Sequence, residues 1–161
     1  MEMYVLQVKS GYEEAAVRLI ADKGYMAMCP SEELYIRSGG KWYKKLKLVF
    51  TQYIFVECEL TDKAYYDIKS TLGAVRFLGF GSPEPLKADE QAHIRLLWNK
   101  GKPVEASKVF TTSSGDKMIL SGILRNYQND IISLDLRQRR AKVAAMLLGK
   151  PHTITLPVIS I

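Results

Sequence analysis

Arg137-Gln138-Arg139-Arg140-Ala141-Lys142 sets three arginines and a lysine within six residues. Guanidinium forks grip phosphates bidentately and stack on unpaired bases, so such a cluster suits a nucleic acid. Lys117, Arg125 and Lys150 belong to the same C-terminal stretch and extend the candidate set. The plain alternative is a solvated basic turn. A second set is aromatic: Tyr4, Phe50, Tyr53 and Phe55. Aromatic anchors in an apolar patch hold protein interfaces, and they also fill cores. Along a strand Tyr53 and Phe55 share one face and Ile54 and Val56 the other, so at most one pair meets a partner. A third set is lysine: Lys9, Lys41, Lys44, Lys45 and Lys47. Such lysines suit a polyanion or simply guard a sheet edge against pairing.

Chemistry of other kinds finds no constellation. His93 and His152 are far apart in sequence, and Cys29 and Cys58 form no CxxC pair, so no zinc site is expected. There is no Walker loop and no GxGxxG. Gly39-Gly40 and Gly79-Phe80-Gly81 read as turns. Asp62 with Asp67, and Glu57 with Glu59, have nothing convergent around them. The expectation is a binding protein, not an enzyme, with no cofactor and no metal.

Charge points the same way. The net charge is +6. Residues 1–107 balance to +1, while 108–161 carry eight basic and three acidic side chains, a balance of +5. A basic unit joined to a near-neutral one implies a polyanionic partner for the former. No apolar run is long enough to cross a bilayer. Met1-Glu2-Met3-Tyr4 lacks a basic export region, so a cytoplasmic location with reduced thiols is expected.

The elements that position these residues follow from periodicity. Tyr4–Val8 alternates as a strand and stops at Ser10-Gly11. Ala15, Ala16, Leu19 and Ile20 recur at helical spacing, and Gly24 closes that helix. Tyr25–Cys29 is a strand ended by Pro30. Glu32–Arg37 and Lys41–Phe50 flank Ser38-Gly39-Gly40 as a hairpin that projects from a sheet edge. Tyr53–Leu60 is the most apolar strand and belongs in the sheet centre. Thr61 caps a short helix. Ala74–Phe80 is a strand, and Ala88–Asn99 is an amphipathic helix. Lys100–Lys108, with Gly101 and Pro103, reads as a linker. Beyond it come short strands at Lys117–Leu120, Asp130–Leu134, Ala141–Leu147 and Thr153–Val158, with a helix over Ala144–Leu148 the alternative that propensity alone allows. Turns at Asn126–Asn129, Arg137–Arg140 and Gly149-Lys150 separate them. Hairpins with a few helices imply an α+β fold, followed by a small all-β barrel.

Tyr4-Val5-Leu6-Gln7-Val8-Lys9-Ser10-Gly11, Cys29-Pro30-Ser31-Glu32-Glu33 and Gln52-Tyr53-Ile54-Phe55-Val56-Glu57 occur in this order. Together they resemble the NusG family of transcription elongation factors. The resemblance covers almost the whole chain. It implies an NGN domain over 1–100 (an antiparallel sheet with helices), a linker over 101–108, and a KOW domain with an SH3-like barrel over 109–161. Gln128-Asn129-Asp130-Ile131-Ile132, then Leu134-Asp135, a basic stretch and Val143, resemble the KOW motif. Asn129 stands where the family usually has Gly, and Asn tolerates a left-handed backbone. Thr51-Gln52 replaces the usual Pro-Gly, and Ile123–Tyr127 replaces a Gly-Pro-Phe-type turn. These departures resemble specialised paralogues of the RfaH or LoaP type.

The resemblance then implies roles. Tyr4, Phe50, Tyr53 and Phe55 would meet the clamp helices of the largest RNA polymerase subunit. Lys9, and with it Lys44 and Lys45, would approach DNA, including the non-template strand. The basic KOW residues Lys117, Arg125, Arg137, Arg139, Arg140, Lys142 and Lys150 would bind leader RNA, in LoaP-like proteins a hairpin. The expected function is operon-specific antitermination in a bacterium. The alternatives are a general NusG factor whose KOW domain contacts ribosomal protein S10 or Rho, and a standalone RNA-binding protein.

Overall fold

The computed structural model describes residues 1–161 in two compact units that are interleaved in sequence. The first holds Met1–Cys29 and Phe50–Ala92, and the second Pro30–Val49 and His93–Ile161.

The first unit is a four-stranded antiparallel sheet in the order β2-β5-β1-β6. Its strands are β1 (Glu2–Val8), β2 (Met26–Met28), β5 (Tyr53–Cys58) and β6 (Ala74–Phe77). The helices α1 (Glu13–Asp22) and α2 (Asp62–Lys69) supply its remaining elements. Alternation in β1 and β5 sends Leu6, Val8, Ile54, Val56 and Cys58 to one face. There they pack with Ala16 and Ile20 of α1, Ile68 of α2 and Phe77 of β6. Met3, Val5 and Phe55, on the other face, are also wholly buried. Burial on both faces explains the nearly continuous apolar run of β5. As expected, β5 is an inner strand, and the Thr61 hydroxyl accepts the Ala64 N–H at 3.1 Å to cap α2.

The second unit contains a curled five-stranded sheet in the order β8-β7-β11-β10-β9. These are β7 (Ser107–Thr111), β8 (Lys117–Ser121), β9 (Ile131–Asp135), β10 (Arg140–Leu147) and β11 (Lys150–Ser160). All pair antiparallel except β7 with β11. Ala141, Val143, Ala145 and Leu147 of β10 point inward with Ile154, Leu156 and Val158 of β11. The hairpin β3 (Ser31–Ser38) and β4 (Lys41–Leu48) also belongs to this unit. It forms a two-stranded sheet of its own and does not extend the four-stranded sheet from an edge. The unit boundary falls within α3 (Ala88–Trp98). No helix is long and apolar enough to cross a membrane.

Three local expectations change. Val104, in the stretch read as a linker, is pinned to β3: its N–H donates to the Ser31 carbonyl at 2.8 Å, and its carbonyl accepts the Glu33 N–H at 3.0 Å. Ser107 and Lys108 already belong to β7, a strand the sequence reading lacks. Asn126–Asn129 lies inside a 3-10 helix over Ile123–Asp130. Asn129 therefore takes no left-handed conformation. Gly122 does, at φ 100, and a Cβ there would strike the Ser107 Cα at 2.6 Å. The buried Ser107 hydroxyl accepts the Leu124 N–H at 3.0 Å and starts that 3-10 helix.

Candidate nucleic-acid interface

The turn between β9 and β10 carries the arginine cluster. Asp135 Oδ1 accepts the Gln138 N–H at 3.1 Å and tightens the turn. Arg139 sits at φ 59, a conformation that costs a non-glycine residue about 1–2 kcal/mol. Its guanidinium carbon lies 4.3 Å from the Trp42 ring centre and 4.8 Å from that of Tyr35. Cation–π attraction to two rings offsets the strain. Arg37 lies 5.7 Å from the Trp42 centre, on the same face of the hairpin.

Two open grooves flank the turn. One, of about 840 Å³, is lined by Tyr35, Arg37, Trp42, Arg137, Arg139 and Arg140 among others. The other, of about 690 Å³, is lined by Lys117, Arg137, Arg140 and Lys142 with Thr111 and Thr155. Five of the seven basic residues chosen from sequence thus meet around one turn: Lys117, Arg137, Arg139, Arg140 and Lys142. Arg125 does not join them. It stands on the 3-10 helix with its guanidinium donating to the Leu120 carbonyl at 3.5 Å. Lys150 pairs with Leu147, at the opposite end of β10 from Arg140 and roughly 23 Å along the strand.

Glu32, which sequence reasoning missed, is buried beneath this region. Burial raises its carboxyl pKa to about 8, although Arg140 and Lys47 pull it down. Its Oε2 and the Arg140 Nε have no hydrogen-bond partner. Tyr35 and Trp42 were missed as well. Their signal is the register: Arg37 opposite Trp42, and Tyr35 opposite Lys44, share one hairpin face.

In the first unit, Phe50 and Phe55 are buried and pack edge to face at 5.1 Å. Tyr53 and Tyr4 are half-buried, and Tyr4 meets Phe77 edge-on at 6.2 Å. Lys9 is exposed at the end of β1. Lys44 and Lys45 are exposed on β4, and Lys44 lies 3.7 Å from Glu33. Beside Lys9, Gln52 takes φ 68 at the position where the sequence lacks glycine. The buried Glu13 carboxylate accepts the N–H groups of Gly11 at 2.9 Å and Gln52 at 2.8 Å.

The remaining reactive side chains are occupied structurally. The His93 ring lies 5.1 Å from that of buried Tyr127. Burial, then Lys150, lowers the His152 pKa. Both cysteines are free thiols, and burial pushes Cys29 up to about 11. No three His, Cys, Asp or Glu side chains group as a metal site.

Residues 1–95 match the family model of NusG, described as transcription termination factor nusG. The chain is 28% identical to the transcription termination/antitermination protein NusG of Thermus thermophilus, over 97% of this chain and 95% of that protein. The protein of the same name from Bacillus subtilis is 26% identical over 95% of this chain and 93% of its own. A solved structure of domain interaction in Thermotoga maritima NusG superposes with a TM-score of 0.63. It covers 98% of this chain and 93% of that one at 23% identity, a likeness of fold.

Proposed function

Because the chain belongs to the NusG family of transcription factors, we propose that it is a specialised elongation and antitermination factor acting by binding alone. In this reading residues 1–100 are the NGN region that holds bacterial RNA polymerase, through the clamp helices of its largest subunit, and suppress pausing and termination. Residues 101–108 lead into the KOW barrel of 109–161, with Ser107 and Lys108 already in its strand β7, and the barrel contacts leader RNA. The observation that carries the RNA contact is the meeting of Lys117, Arg137, Arg139, Arg140 and Lys142 around one turn. Tyr53 and Tyr4 offer half-buried aromatic surface for polymerase, with Phe50 and Phe55 packed as support. Lys9 extends the reading to non-template DNA, with Lys44 and Lys45 as further cations. Two modest surfaces suffice because the second contact becomes effectively intramolecular once the first is made. The site of action is the cytoplasm.

A general NusG factor, with ribosomal protein S10 or Rho on the barrel, is the second reading. It is favoured by relatives named NusG that match over nearly their full length. Run-off transcription on a template with intrinsic terminators separates the two. Readthrough only with a leader element supports the specialised factor, and readthrough or altered pausing on any template supports the general one. Tyr53→Asp is expected to abolish polymerase binding. Wild-type association by that variant overturns the docking surface.

A further inference from the structure

We infer that the groove between the β3–β4 hairpin and the β9–β10 turn binds unpaired nucleotides of a single nucleic-acid strand. A base stacks on Trp42 in the position now taken by the Arg139 guanidinium, and Arg37, Arg137 and Arg140 hold the flanking phosphates. This rests on the nucleic-acid reading above and names the site and the form of ligand it takes.

Shape supports it. A guanidinium is planar, as a base is, and both stack on an aromatic face. Arg139 already occupies such a position, 4.3 Å from the Trp42 centre. Tyr35 and Trp42 meet at 86° with centres 6.4 Å apart, so they form a corner with one ring as floor and the other as wall. Both rings are half-exposed. The groove's volume of about 840 Å³ lies in the upper part of the range for small-ligand clefts, room for more than one nucleotide.

Charge supports it independently. Arg37, Arg137, Arg139 and Arg140 all line the groove, and none is in an ion pair. The single acidic side chain lining it, Asp135, spends an oxygen on the turn. One cation over two rings would suffice to fasten hairpin to barrel. Four cations in one groove repel each other, with only the buried Glu32 beneath Arg140 to oppose them, and a phosphate chain neutralises that repulsion while releasing its own condensed counterions. Paired bases present no free face, so a duplex gains only the phosphate contacts.

The test uses the full chain with Trp98→Phe, which leaves Trp42 as the sole tryptophan. The probes are a mixed-sequence 12-nucleotide RNA, the DNA strand of the same sequence, and the blunt RNA duplex. The expected result is quenching of Trp42 fluorescence by a single strand, with affinity about ten-fold or more above the duplex. Trp42→Leu is expected to lose about ten-fold or more with its salt slope unchanged, and Trp42→Phe to recover most of it. Arg37→Ala and Arg137→Ala are each expected to flatten the salt slope by about 0.7. The stronger of the RNA and DNA arms identifies the source of the strand. A bound strand with no quenching, or with wild-type affinity in folded Trp42→Leu, overturns the groove and leaves the barrel's RNA contact standing. Equal binding of the duplex overturns it in the same way. No binding of any strand overturns both, and the run-off assay then decides between the transcription readings.

Discussion

Gln52 holds a left-handed backbone, φ 68, that L side chains rarely adopt. Its N–H reaches the Glu13 carboxylate and its carbonyl accepts the Val8 N–H at 2.9 Å. Replacing it with glycine relieves about 1–2 kcal/mol of strain. The looser unfolded chain takes back about 0.4–1 kcal/mol. Gln52→Gly is therefore expected to stabilise by about 0.5–1 kcal/mol in urea unfolding. Glu13→Ala strands two N–H groups and is expected to destabilise by about 1–3 kcal/mol. Glu32 gives a pH signature. Its pKa is raised on folding, so between the ordinary carboxylate value and about 8 the unfolded chain binds fewer protons than the native state. Stability then falls as pH rises through that window, by an amount on the order of a few kcal/mol. Glu32→Gln is expected to flatten the slope of unfolding free energy between pH 5 and about 8. A slope unchanged by that substitution assigns the pH dependence to other groups.

At the scale of elements, the boundary signals in the sequence that rest on local chemistry were readable. Thr61 is a cap because its hydroxyl accepts an N–H three residues on, and Thr61→Ala is expected to cost about 1 kcal/mol in unfolding free energy. The hairpin follows from Ser38-Gly39-Gly40, and β11 from the alternation of Thr153-Ile154-Thr155-Leu156, whereas β10 alternates in burial but runs apolar from Val143 to Leu147. The strand β7 was not readable. It pairs in parallel with β11 some fifty residues away, Val158 beside Ser107, and no local pattern marks such a partner. Glycine at 122 was the available hint, since a tight approach to Ser107 needs it. The 3-10 helix over Ile123–Asp130, where the sequence reads a turn at Asn126–Asn129, buries Leu124 and Tyr127 three apart, too short a repeat to mark a helix.

Across the whole chain, charge asymmetry and family membership lead to one expectation. The basic C-terminal stretch is the part expected to meet a polyanion. Substituting alanine at Arg137, Arg139 and Arg140 is expected to weaken RNA binding and reduce the salt slope by about 2. Unchanged affinity and slope would remove this turn from the site. In the proposed reading polymerase association belongs to Tyr4 and Tyr53 of the other unit and is expected to survive the same three changes, which separates the two proposed contacts in a single variant.

The sequence by itself determined the α+β class, the order of most strands and helices, and the basic turn. Each of these is a local periodicity, a cap or a run of charge. Only the tertiary structure decided that the hairpin groups with the C-terminal strands, that Phe50 and Phe55 are buried, and that Arg125 and Lys150 stand away from the other arginines and lysines. It also decided that Arg139 lies on Tyr35 and Trp42, about one hundred residues earlier. Such contacts are set by chain topology and packing, and the residue types at either end look the same in sequence whether or not they meet.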